Sequence, residues 1–188
     1  WTSVDENSKP VRYQVEIWRL GVRQRWVVTT DNEWTPSALA EGGYYWRIKA
    51  IDDAGNESNW SPNITFRVDV TEPDQVNLYS PDNLATFENG TSVEFEWYWG
   101  NDPWGELDHY EFQVDNDADN NNGVIYENSN IPAAENTYTY TPPNVGHYWW
   151  RVRVVDKAGN PSPWSEVRII RIATWRVFEC WSGVVKSR

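Results

Sequence analysis

The chain has 188 residues, with 28 acidic against 16 basic side chains and a formal charge of −12. Such a surface repels phosphate backbones and anionic lipid, which argues against nucleic acid as a partner, and no apolar run approaches the roughly 18 residues a membrane span needs. Cys180 is the single cysteine, so no intrachain disulfide forms, and stability must come from packing a chain that carries 14 Trp and 10 Tyr. No signal-peptide pattern and no Met are present, which reads as a processed product or a piece of something longer.

In chain order, period-2 alternation dominates and helical periodicity is missing. Tyr13, Val15 and Ile17 alternate with Gln14, Glu16 and Trp18, which predicts a strand with one buried face. Trp34-Thr35-Pro36 is expected to end a strand. The next strand is predicted to bury Tyr44, Trp46, Ile48 and Ala50 and to expose Tyr45, Arg47 and Lys49. Asp53-Ala54-Gly55-Asn56 follows, with Gly and Asn supplying positive φ in a turn. Asp69 to Gln75 reads as a linker, where Pro73 stops strand pairing. Val93, Phe95, Trp97 and Trp99 form a second alternating core stripe, followed by a loop carrying Trp104 and a strand burying Tyr110, Phe112 and Val114. Tyr140-Thr141-Pro142 ends another strand, and Tyr148, Trp150, Val152 and Val154 face inward along the next.

Residues 44–61, YYWRIKAIDDAGNESNWS, return at 148–165 as YWWRVRVVDKAGNPSPWS, 104 residues on and without a gap. A repeat of that length is a whole small domain rather than a solenoid unit. The fold class is therefore all-β, with two tandem antiparallel β-sandwich domains. With the core Trp97 (Trp1 in the first copy), the Tyr-x-Trp-Arg strand, the Asp-x-Ala-Gly-Asn turn and the Trp-Ser pair, the chain resembles fibronectin type III modules of bacterial secreted and surface proteins. The resemblance covers residues 1 to about 172. It implies spacer, adhesion or protein-binding roles and no common activity. The expected domains are 1–70, which lacks its N-terminal strands, then 71–173, and a tail at 174–188 that offers an extra or donated strand.

Catalysis finds little support. His109 and His147 sit beside core tyrosines, and nothing groups a nucleophile, a base and an orienting residue. Asp115, Asp117 and Asp119 have the alternate spacing of oxygen-ligand calcium loops, but Gly123 and Tyr126 break the rest of that pattern. A polar hairpin tip is the plainer reading, so calcium is the one cofactor candidate. Trp18, Trp104 and Trp149 are candidate ligand contacts, for glycans among others. Cation–π ladders with Arg47, Arg151 and Arg153 explain Trp18 and Trp149 equally well. Trp175, Val177 and Trp181 are candidate assembly residues in the tail. Asn56, Asn63 and Asn89 open glycosylation sequons. The expected partners are other protein domains, copies of the chain itself or glycans, without membrane insertion, at the cell surface or outside the cell.

Overall fold

The computed structural model describes residues 12–117 and 124–174. Among them the chain forms twelve strands and no helix, and it divides into two compact units, Trp1–Thr71 and Glu72–Arg188.

Among the described residues, the first unit forms a four-stranded sheet. Its strands are β1 (Arg12–Arg19), β2 (Val22–Thr29), β3 (Gly42–Ile51) and β4 (Ile64–Val68), in the order β2-β1-β3-β4 and all antiparallel. The register follows the alternation: Tyr13 lies opposite Ala50, Val15 opposite Ile48 and Ile17 opposite Trp46, so one face of the sheet is apolar.

The second unit is a two-layer sandwich. One sheet holds β5 (Leu78–Ser80), β7 (Val93–Trp97) and β10 (Thr137–Tyr140) in the order β10-β7-β5. The other runs β6-β12-β11-β8-β9, from β6 (Ala85–Glu88), β12 (Arg168–Ala173), β11 (Gly146–Asp156), β8 (Leu107–Asp115) and β9 (Tyr126–Pro132). Between the sheets Phe95 packs on Phe112 and on Trp150, each at 4.9 Å, and Trp97 packs on Tyr110 at 5.3 Å. Those five rings are among the most deeply buried side chains in the chain. Each such ring contributes on the order of 2–3 kcal/mol of burial.

The repeat is conserved down to hydrogen bonds. Tyr44 Oη donates to Ala40 O at 2.6 Å, and Tyr148 Oη to Asn144 O at 2.8 Å, the corner that anchors this kind of sandwich. Gly55 (φ 87°) and Gly159 (φ 92°) supply the left-handed turn residue. Asn56 and Asn160 do not have positive φ; instead their amides each donate to Asp52 and Asp156 at 2.8 Å.

Three expectations change. Trp99 is exposed rather than part of the core stripe, because β7 ends at Trp97 and the chain turns away at Gly100, whose amide donates to Tyr110 Oη. Trp34 ends no strand among the described residues, although its counterpart Tyr140 ends β10. Trp46, Ile48 and Ala50 are only half-buried, whereas Trp150, Val152 and Val154 are fully enclosed. The cause is the layer opposite: β11 faces a second sheet, and β3 has no such sheet among the described residues.

Candidate functional site

The outer face of each large sheet carries an arginine clasp. In the first unit Glu16, on β1, is only 3% exposed although charged. Its carboxylate accepts from Arg47 Nη2 at 2.9 Å, Arg23 Nη1 at 2.8 Å, Trp18 Nε1 at 3.0 Å and Gln14 Nε2 at 3.0 Å. Burial alone would raise the Glu16 pKa, but the bonds from Arg47, Arg23 and Trp18 outweigh it and hold the pKa below the usual value. Arg47 also lies 5.1 Å from the Trp18 ring and 4.3 Å from the Trp60 ring, and Lys49 covers Trp60 at 4.9 Å. The second unit repeats this with an amide for the acid. Arg151 donates twice to Gln113 Oε1, and Arg151 and Arg153 both stack on Trp164, at 4.5 and 4.6 Å.

The serines beside those tryptophans have a structural task. Ser61 Oγ accepts from Ile48 N and Ser58 Oγ from Ala50 N; Ser165 and Ser162 do the same for Val152 and Val154. They satisfy strand amides that no neighbouring strand reaches.

The three tryptophan candidates lie in different settings. Trp18 is half-buried and stacks on Tyr45 at 6.3 Å, with its indole N–H given to Glu16. Trp104 is half-buried in the loop after Gly100, where Asp102 Oδ1 accepts its amide. Trp149 meets His147 at 6.2 Å and shares a cleft of about 70 Å³ with Asp115, Asp117 and Arg151. Asp115 is 6% exposed; its Oδ1 accepts from Asn116 N, while its buried Oδ2 has no hydrogen-bond partner among the described residues. Asp119 lies outside the described residues, as do Trp175, Val177 and Trp181. His109 Nδ1 contacts Asp108 Oδ2 at 2.8 Å, and among the described residues no hydroxyl or thiol is bonded to that imidazole.

One feature was not legible as a site. The apolar face of the first unit opens into a trough of about 440 Å³ lined by Val15, Ile17, Trp34, Pro36, Trp46 and Phe66, with Asn32 and Glu33 at its lip. In the second unit the equivalent space is filled by Val93, Phe95 and Trp97 of β7. Sequence alternation marks which residues face inward, but not the volume of the trough they line.

Comparison with known proteins agrees with the fold. The fibronectin(III)-like modules of Clostridium thermocellum CbhA superpose with a TM-score of 0.58 at 19% identity, over 93% of this chain and 84% of that one. The chicken CNTN1 FN1-FN3 domains superpose with a TM-score of 0.56 at 13% identity, over 87% of this chain and 54% of that one. The chain is thus fibronectin type III-like in fold. No family model matches the sequence. The chain is 30% identical over 146 residues to the Tip attachment protein J of Escherichia phage SECphi27, covering 73% of this chain but only 11% of that protein. No helix among the described residues is long and apolar enough to cross a membrane.

Proposed function

We propose that the chain is a non-catalytic structural and adhesion module pair, part of a larger surface or secreted attachment protein. The observation that carries this reading is how the recurring polar residues are used. Arg47 and Arg151 hold Glu16 and Gln113, the serines cap strand amides, and the Asp–Asn pairs close turns. The side chains that repeat most faithfully are engaged in holding each module together, which suits a scaffold whose contacts lie on variable surfaces. Likeness to a protein named for tip attachment supports a place in an extracellular attachment assembly.

The test is a paired assay on one preparation. Turnover is measured against chromogenic glycosides, esters and casein, and retention of the fluorescently labelled chain is measured on bacterial envelopes. The expected result is no turnover above blank and saturable retention. Turnover that a point substitution abolishes would overturn the reading.

A further inference from the structure

We propose that the chain associates head to tail with a second copy of itself. The β1–β2 hairpin in the first unit of one copy docks on the outer face of the β10-β7-β5 sheet in the second unit of the next.

The hairpin carries a residue that its backbone does not favour. Arg19 pairs with Val22, so Leu20-Gly21 is a two-residue turn, and both have positive φ, 49° and 76°. That turn calls for Asn-Gly, and a bulky side chain is rarely held there. Leu20 is also 92% exposed, so its side chain buries almost nothing within the fold. Val22, Trp26 and Val28 continue the exposed apolar surface along β2. Contiguous apolar surface of this kind marks a contact region. Residues 17–30 contain Arg19, Arg23 and Arg25 and no acidic residue, in a chain of net charge −12. Arg23 shares Glu16 with Arg47, so positive charge is left over. Arg23 also lies 5.4 Å from the Trp26 ring, and an exposed Trp beside arginine is the composition of a protein-contact centre.

Charge selects the partner. Strands β5, β7 and β10 carry no Lys or Arg. Glu94 and Glu96 stand opposite Thr139 and Thr137. Neither carboxylate has a cationic or hydrogen-bonding partner among the described residues. The larger sheet of the same unit differs, for there Glu111 is paired with Arg153 and Gln113 with Arg151. At the β5 side of the small sheet, Tyr79 meets Tyr98 edge-on at 5.4 Å, and both are more than half exposed. This face offers carboxylates to the arginines of the hairpin and aromatic surface to its apolar tip. One chain holds both complementary surfaces, which makes a second copy the occupant. Because the two surfaces differ, the contact is heterologous and open-ended.

The experiment is sedimentation velocity over a concentration series, on the full chain and on two variants, Leu20→Asn/Trp26→Thr and Glu94→Lys/Glu96→Lys. Leu20→Asn gives the turn its preferred residue, and the other three positions lie on outer strand faces, so both variants should fold; amide NMR spectra check this. The wild-type mass should climb with concentration past two chains. Each variant alone should associate more weakly by about tenfold or more. Mixed together, the intact hairpin of one variant meets the intact sheet of the other, and the mass should settle at two chains. A wild type that stays a single chain, association undiminished in either variant, or mixed variants that fail to pair would each overturn the proposal. So would a single-chain wild type whose hairpin amides shift with phosphatidylglycerol vesicles, since the occupant would then be lipid. Envelope retention is read on the same samples: a chain that is retained but never associates overturns this proposal and leaves the adhesion reading standing.

Discussion

At the scale of single residues, the two copies serve as controls for each other. Glu16 accepts from four side chains, whereas its counterpart Gln113 holds one arginine through one oxygen. Glu16→Gln keeps the shape but loses acceptor capacity and charge. It should lower the stability of the first unit by about 1–2 kcal/mol, discounted because Arg23 and Arg47 are partly exposed. Because the folded pKa of Glu16 is depressed, its contribution is present above the ordinary glutamate value and lost as the pH falls through the lower folded one. The wild-type first unit should therefore weaken on acidification more than the Gln variant does. Urea unfolding at pH 7 and pH 3, followed through amide peaks of β1 and β3, measures both effects. The serine clasps offer a second comparison. Ser165 is 6% exposed, whereas Ser61 is half-buried. Ser165→Ala leaves the Val152 amide buried without its acceptor and should lose about 1–3 kcal/mol; Ser61→Ala should lose less, since water can replace the hydroxyl at Ile48. Urea midpoints of the two variants decide it.

At the scale of elements, alternation and repeat made the strands readable. Tyr13, Val15 and Ile17 face inward as the pattern requires, and the same register joins β1 to β3 as joins β8 to β11. Alternation states which face a side chain takes, not what lies across from it. Trp46 and Trp150 therefore look alike in sequence and differ in burial, because enclosure is decided by a distant strand such as β7. Trp99 was misplaced for a related reason: period two runs past Trp97, and the fold ends the strand there. The tryptophans invited a ligand reading because an exposed ring and a ring under arginine share one alternation pattern. Only the cross-strand register of Arg47 with Glu16 separates them for Trp18. The prediction at this scale is a difference in cost. Trp150→Ala, in a closed core, should destabilise the second unit by about 3–5 kcal/mol. Trp46→Ala should cost the first unit clearly less, since part of its ring already meets the trough. Denaturation midpoints of the two variants, read unit by unit, would contradict this if the losses were equal.

At the scale of the whole molecule, the two units should not share one stability. A sandwich closes its core by stacking two apolar faces, and burial per residue falls quickly when a small domain offers only one. In the second unit, fifteen buried residues form one cluster drawn from both sheets. Among the described residues of the first unit, the buried hydrophobics are Tyr13, Val15, Ile17 and Tyr44. Among the described residues its holding forces are weighted toward sheet hydrogen bonds, the Glu16 clasp and the cation–π stack on Trp60. Hydrogen exchange in increasing urea should show the amides of β1 and β3 opening at lower denaturant than those of β8 and β11. If both sets of amides open together, the first unit is held as firmly as the second, and the difference in burial among the described residues does not set their stabilities.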